Sequence, residues 1–244
     1  MSGWLEALLY GGLSGYSLLG GGLFTRVLKL GRRGVAMIMA FGSGVLIASL
    51  SYGLMEEAYH HGGLDAGAFG LIGGATLYYA AHGAVFRHRR FTGSHLTAET
   101  TAGQTGRAVV TGAVLDGLPE QFALGVGVKL GSHLGFLVMA AILLSNFAEA
   151  VVATPDLTKQ RGVARTLGLW AIIGTLSTAA SLLGFWAAER VGGDVLGFLL
   201  AFAAGAVLAM LADTLLPEAF RGGGRLTSLA TTAGFLVAFM LARS

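Results

Sequence analysis

The 244-residue sequence is 54% hydrophobic and only 12% charged, and its mean hydropathy of +0.71 is too high for a soluble domain of this size. It contains no cysteine, which excludes disulfide bonds and any metal site built on thiolates. The net charge of +3 is small and does not imply a nucleic-acid partner. We therefore expect an integral membrane protein in which oxygen or nitrogen atoms hold any metal ion.

Eight apolar runs are long enough to cross the hydrocarbon core of a bilayer, which takes roughly 20 residues of α-helix. We call them spans 1 to 8 in chain order. They cover residues 3–25, 34–55, 65–86, 107–128, 133–154, 166–188, 193–217 and 226–242. Span 1 has neither the basic start nor the cleavage site of a signal peptide, so we expect it to belong to the mature protein.

Positively charged residues test this partition, because Lys and Arg are more frequent in cytoplasmic loops than in loops on the other side of a membrane. The stretches that follow spans 1, 3, 5 and 7 hold all but three of the 16 Lys and Arg residues. The exceptions are Lys129, Arg190 and Arg243. This bias predicts a single transmembrane domain over residues 1–244, with both termini outside the cytoplasm and a cytoplasmic loop over 87–106.

Two stretches of the sequence resemble each other. Residues 40–63 (AFGSGVLIASLSYGLMEEAYHHGG) align without gaps on residues 201–224 (AFAAGAVLAMLADTLLPEAFRGGG). In the predicted topology span 2 runs outward and span 7 runs inward, as in the inverted repeats of secondary transporters. We predict an all-α membrane protein with eight transmembrane helices, in which helices 1–3 and 6–8 form an inverted repeat around helices 4 and 5. Chance similarity between two helices rich in Ala, Gly and Leu is the alternative interpretation.

Span 4 carries two carboxylates, Asp116 and Glu120, close to its middle. An ionisable group at mid-membrane costs roughly 2.5 to 3.5 kcal/mol even on lenient scales, so a functional reason is expected. The spacing of four residues places both side chains on one face of a helix. Pro119 lies between them and predicts a kink that exposes backbone oxygen beside the carboxylates.

Span 5 carries a second polar cluster, Ser145, Asn146 and Glu149, also at helical spacings of three and four residues. If spans 4 and 5 pack together, three carboxylates and two neutral oxygen ligands converge. Close carboxylates repel one another unless a cation lies between them, which favours a divalent metal ion held by Asp116, Glu120, Ser145, Asn146 and Glu149. The alternative is that these groups are protonated or hydrogen-bonded contacts that hold membrane helices together.

Weaker signals lie at the ends of two spans. Glu56, Glu57, His60 and His61 follow span 2 and would concentrate cations at its outer end, although a solvated helix end explains them equally well. Asp213 and Glu218 lie near the inner end of span 7, where they would line an exit, although solvation at the interface is the alternative explanation for Glu218.

The chain resembles the ZIP (Zrt-, Irt-like protein) family of metal transporters in its eight predicted helices, its outside termini, the long loop between spans 3 and 4, and the Pro-Glu dipeptide of span 4. The resemblance covers nearly the whole chain. In that family spans 4 and 5 typically read His-Asn-x-Pro-Glu and His-x-x-Pro-Glu and form a metal site at mid-membrane. Here DGLPE (116–120) and SNFAE (145–149) stand at those positions.

The resemblance implies that Glu120 and Glu149 correspond to the glutamates of the family motifs. Asp116 and Ser145 stand where histidines are usual, and Ala148 stands where the second motif has proline. Without the nitrogen ligands the site is rich in oxygen, which moves the expected ion from zinc toward manganese, iron(II) or magnesium.

We therefore expect a transporter rather than an enzyme, with a divalent cation such as zinc, iron or manganese as its substrate and no cofactor. Its expected location is a cell membrane, most simply a prokaryotic inner membrane, and its partners are the metal ion and lipids; the sequence leaves a homodimer open. Two alternatives stand beside this hypothesis. One is a metal-sensing or structural membrane protein that does not transport, and the other is a proton-coupled carrier of an organic cation.

Overall fold

The computed structural model describes residues 3–27, 31–90 and 117–243, without the side chains of residues 84–90 and 132–134. Within these ranges the chain is helical and contains no strand. The helices are α1 (Gly3–Val27), α2 (Arg32–Ser49), α3 (Met55–Arg90), α4 (117–130), α5 (Ser132–Arg161), α6 (Val163–Arg190), α7 (Gly193–Met210), α8 (Leu216–Gly223) and α9 (Leu226–Arg243). The all-α prediction is confirmed for these residues. Asp116, the rest of the predicted span 4 before it, and most of the loop predicted over 87–106 lie outside them.

Among the described residues, five helical stretches are long and apolar enough to cross a membrane, judged by length and composition. They are Arg32–Gly83, Gly135–Arg161, Val163–Arg190, Gly193–Gly223 and Leu226–Arg243. Neither α1 nor α4 is among them. The described part of α4 is too short to cross a bilayer by itself, and glycine and serine lower the mean hydropathy of α1. The chain thus has several apolar helices of the kind found in membrane proteins.

The outer faces of the helices are apolar, and small or weakly polar residues lie inside. In α1, Leu13 and Leu23 are exposed, whereas Gly11 and Ser14 are buried against other helices. α9 likewise exposes Leu229 and other large side chains along its length. Soluble monomers rarely expose apolar surface on this scale, so this distribution suits a protein whose helices face lipid.

α2 and α3 follow one another without a loop, and the helical path has two irregularities. A π-helical segment, Leu50–Leu54, joins them, and Gly63 leaves the helical conformation with φ 66° and ψ −168°. The candidate span Arg32–Gly83 has 52 residues, so as a straight helix it would be about 78 Å long, more than twice the hydrocarbon thickness of roughly 30 Å. The break at Gly63 divides it into two arms of membrane length.

The predicted span 2 ends at residue 55 and residues 56–64 lie between predicted spans, but the helix continues to the break at Gly63. α3 also continues to Arg90, four residues into the loop predicted over 87–106. Hydropathy detects where a run becomes polar, whereas a helix ends only where its hydrogen-bond pattern is broken. Gly63 breaks it because glycine adopts a positive φ without steric cost.

The same irregularities occur in the second half of the chain. α7 passes through a π-helical segment, Leu211–Leu215, into α8, and Gly224 follows with φ 61°. In the alignment of residues 40–63 with 201–224, Leu50 stands opposite Leu211 and Gly63 stands opposite Gly224. Both copies therefore have a π segment and a positive-φ glycine at matching positions.

Glycines allow close packing at the helix contacts. α2 packs on α9 and α5, α3 packs on α7, and α1 packs on α5 and α6. A Cβ atom on Gly44 of α2 would overlap the carbonyl oxygen of Thr231 in α9, and one on Gly205 of α7 would overlap that of Leu71 in α3. Gly44 and Gly205 again occupy matching positions in the aligned stretches. Such contacts between backbones are how membrane helices gain packing energy without a hydrophobic driving force.

Candidate cation site

Glu120 lies on α4 in the interior of the bundle. Its side chain is only 2% exposed, and it lines a small cavity of about 10 Å³, which is room for one water molecule or ion. α2, α5 and α7 provide the remaining walls, through Leu46, Ser49, Leu50, Leu54, Val138, Ile142 and Val207, with Ala123 from α4 itself. We call this space the Glu120 cavity. Its walls are mainly aliphatic, so the carboxylate is held in apolar surroundings.

The polar residues of α5 lie deep in the same bundle. Ser145 and Asn146 are 4% and 5% exposed, and Glu149, one turn further on, is half-buried. The Ser145 hydroxyl donates to the carbonyl oxygen of Ile142 in its own helix at 3.1 Å. Ile142 also lines the Glu120 cavity, so the α5 cluster begins one turn along the helix from the cavity wall.

Asn146 contacts α1 through its side-chain amide. Its Nδ2 atom donates to the backbone carbonyl oxygen of Ser14 at 3.0 Å. Because a carbonyl oxygen can only accept, the partner fixes the orientation of the amide, with nitrogen toward α1. Coordination of a cation by Asn146 would therefore use Oδ1.

Gln121 was not among the residues singled out by the sequence analysis, yet it is fully buried beside Glu120. Its Nε2 atom lies 2.9 Å from the hydroxyl oxygen of Ser14, which is also fully buried. Ser14 thus contacts α4 through its side chain and α5 through its carbonyl group. The sequence already indicated that both residues are buried, because polar side chains in apolar spans usually face the bundle interior.

These contacts place the polar parts of α4 and α5 at one level of the bundle, because both reach the same residue of α1. The third predicted carboxylate, Asp116, lies outside the described residues, as does the backbone on which the expected kink before Pro119 depends. Among the residues that the structure describes, no three His, Asp or Glu side chains form a group that could hold a metal ion. The described part of the predicted site contains Glu120, Ser145, Asn146 and Glu149.

Two larger cavities lie near the two ends of α2 and its extension. The first has a volume of about 320 Å³ and is lined by Tyr52, Glu56 and Glu57, by residues 130, 131 and 137, and by Arg243. The second has a volume of about 250 Å³ and is lined by Arg32, Ala36, Met39, Val152, Glu218, Arg221 and Gly222. We call them the Glu56 cavity and the Glu218 cavity. The α2 residues that line the Glu120 cavity, Leu46 and Ser49, lie in the chain between Met39 of the Glu218 cavity and Tyr52 of the Glu56 cavity.

The weaker candidates divide between these cavities and the surface. Glu57 lines the Glu56 cavity, and its Oε2 lies 3.5 Å from Nε2 of His61. His60 is exposed, and so is Asp213 in the second π segment. The structure thus places Glu56, Glu57 and Glu218 at cavity walls and His60 and Asp213 at the outer surface of the chain.

Comparisons of the sequence with protein-family models and with curated proteins find no match.

Proposed function

We propose that the chain is a ZIP-like carrier that moves a divalent metal cation across a membrane. The observation that carries this proposal is Glu120, a carboxylate that is 2% exposed on a helix surrounded by apolar helices. Burying a carboxylate costs several kcal/mol unless hydrogen bonds, a proton or a cation compensate for the lost hydration. A carboxylate that alternates between metal-bound and protonated forms is suited to carrying a cation through such a layer.

The series of cavities along α2 supports a route to that carboxylate. The Glu56 cavity lies toward one end of the helix and the Glu218 cavity toward the other, and each has a carboxylate in its wall. The Glu120 cavity between them is some thirty-fold smaller than the Glu56 cavity, comparing about 10 Å³ with about 320 Å³. Wide end cavities with charged residues in their walls and a narrow, apolar centre are the expected form of a carrier with an occluded site.

The ligand set that we propose is Asp116, Glu120 and Glu149, with Ser145 and the Oδ1 atom of Asn146 completing an oxygen-rich shell. Such a shell suits manganese, iron(II) or magnesium better than zinc. The cation is the substrate, and neither a cofactor nor a catalytic step is part of the mechanism. A prokaryotic inner membrane is the proposed location.

Internal correspondences support an inverted repeat of the first three and last three of eight spans. The matching π segments and the glycine pair Gly63 and Gly224 occur at equivalent positions of the aligned stretches. The contact of α2 with α9 likewise corresponds to that of α7 with α3, through Gly44 and Gly205. In this arrangement α4 and α5 form the central pair around which the two halves rock to alternate access.

The experiment that tests the proposal is uptake of Mn²⁺, Fe²⁺, Zn²⁺ and Cd²⁺ into proteoliposomes. The wild type is compared with a variant that carries Glu120→Gln and Glu149→Gln, which keeps side-chain volume and removes both charges. We expect saturable uptake by the wild type and a reduction of roughly tenfold or more in the variant, because both carboxylates would contact the ion. Manganese or iron(II) should rank above zinc.

The matched control is Glu189→Gln. Glu189 is an exposed carboxylate near the end of α6, where its Oε1 lies 3.1 Å from Nζ of Lys129. Neutralising Glu189 should leave uptake unchanged, because Glu189 lies away from the site and an exposed ion pair contributes little to stability. If folded wild type moved none of the four ions faster than empty liposomes, the carrier proposal would be abandoned.

A further inference from the structure

The hydrogen bonds around Ser14 form a junction between three helices. The Ser14 hydroxyl lies 2.7 Å from the carbonyl oxygen of Tyr10, 2.9 Å from Nε2 of Gln121 and 3.2 Å from Oε1 of Gln121. A hydroxyl has one proton, so it satisfies the two shortest contacts by donating to Tyr10 and accepting from the Gln121 amide. The Gln121 amide then donates to Ser14, and this hydrogen bond joins α4 to α1.

Gln121 is the residue that follows Glu120, so their side chains leave α4 about 100° apart around the helix axis. Gln121 points to α1, and Glu120 lines the cavity formed with α2, α5 and α7. Rotation of α4 about its axis would break the bond to Ser14 and turn the carboxylate out of the cavity. The contact with α1 is therefore a polar restraint on which way Glu120 faces, beside the close backbone contact of α4 with α6 at Gly125 and Gly184.

The local sequence leaves few other polar contacts at this end of the described part of α4. Pro119 has no backbone N–H to donate, and Gly117 has no side chain to form a contact. α5 is attached to the same point, since Asn146 donates to the Ser14 carbonyl oxygen at 3.0 Å. Ser14 therefore contacts both of the helices that carry the proposed ligands.

We infer that Gln121 is a positioning residue, which acts through Ser14 to set the rotation of α4 and so aims Glu120 into the cavity. This inference deepens the proposed cation transport and rests on it for its functional consequence. The geometric part, the orientation of α4, can be tested without any transport. Substitutions of Ser14 and Gln121 should therefore have non-additive effects.

The transport test uses Gln121→Leu, which keeps similar volume, Ser14→Ala, which keeps the carbonyl group that Asn146 contacts, and the double variant. Each single variant should raise the Mn²⁺ concentration for half-maximal uptake roughly tenfold while the maximal rate changes little, because the ligand is misaligned rather than removed. The double variant should be no worse than either single variant, since both changes break the same bond.

Ser43→Ala is the matched control. Ser43 is also fully buried, but its hydroxyl donates only to the Met39 carbonyl oxygen within α2, at 2.9 Å. Its removal should leave the concentration dependence of uptake unchanged. Additive losses in the double variant, or an equal loss in Ser43→Ala, would mean that Ser14 and Gln121 only stabilise helix packing and would overturn the inference.

The orientation test uses a cysteine pair, which is unambiguous because the chain has no native cysteine. Ala123→Cys and Val207→Cys place thiols on α4 and α7 in the wall of the Glu120 cavity. A mercuric ion, which bridges two thiolates and is small enough for a cavity of this size, should join them efficiently in the otherwise wild-type chain and in Ser43→Ala, and at least severalfold less in Gln121→Leu. Equal cross-linking in Gln121→Leu would overturn the inference. Reduced cross-linking in a chain that transports no metal would support the orienting role and refute the proposed function.

Discussion

Each polar residue of the site could bind a cation or could hold two helices together, and Asn146 illustrates both roles. Its amide nitrogen donates to Ser14, and its amide oxygen is the atom that could face a cation. Ser145 differs, because its hydroxyl satisfies a carbonyl group of its own helix. The same sequence motif therefore contains one residue that joins two helices and one whose observed bond lies within a single helix.

Replacing Asn146 with aspartate separates the two roles. A carboxylate oxygen would face the Ser14 carbonyl oxygen at about the present distance of 3.0 Å, so a hydrogen bond becomes a contact between two acceptors. We expect the free energy of unfolding in the absence of metal to fall by about 1–3 kcal/mol. Thermal unfolding in detergent would show a midpoint lower by several degrees. Ser145→Ala is the control and should change the midpoint little. A midpoint that stays constant without metal and rises with Mn²⁺ would instead assign the Asn146 side chain mainly to the cation.

The burial of Glu120 could be predicted from sequence, but its neighbours in space could not. A carboxylate in the middle of an apolar run has no route to water, so the interior is the expected place for it. The contact between Ser14 and Gln121 joins residues 107 positions apart. Hydropathy identifies each span separately and contains no information on which faces meet, so this pair becomes visible only when the helices are packed.

At the scale of helices, glycine sets how closely neighbouring elements approach. Gly205 of α7 lies against the backbone of Leu71 in α3, and the matching Gly44 of α2 lies against Thr231 in α9. The sequence alignment identified the two stretches that contain these glycines. It did not predict the π segments, because a shift in backbone hydrogen bonding leaves no pattern in side-chain hydropathy.

Gly205→Ala should destabilise the contact between α3 and α7. The added methyl group would overlap the Leu71 carbonyl oxygen, so the helices must separate and lose packing along their length. We expect a loss of about 1–3 kcal/mol, measured as a lower midpoint of thermal unfolding in detergent. Gly168→Ala on α6 is the matched control, since a Cβ there has no neighbour within 4 Å. Equal midpoints for the two variants would show that α3 and α7 adjust without cost.

At the scale of the whole molecule, the two end cavities group helix ends that the predicted topology assigns to opposite sides. The Glu56 cavity brings together the end of span 2, the connection between spans 4 and 5, and the end of span 8. The Glu218 cavity brings together the start of span 2 and the end of span 7, with Val152 of α5. Lys129 contacts Glu189, which joins the ends of spans 4 and 6. These contacts thus group the helix ends into the same two sets as the predicted topology, and which set faces the cytoplasm stays a prediction.

Labelling of single cysteines with a membrane-impermeant maleimide tests that sidedness on α6. Its 28 residues extend about 42 Å, enough to place its ends on opposite faces of a bilayer. Gly192→Cys follows the helix at a position where added side-chain atoms meet no neighbour, and Lys159→Cys precedes it and removes only an exposed ion pair with Asp156. In intact bacterial cells Gly192→Cys should react at once, and Lys159→Cys only after the membrane is permeabilised. The parent chain supplies a blank because it has no thiol. The reverse pattern would invert the orientation, and reaction of both positions in intact cells would show that α6 does not span the membrane.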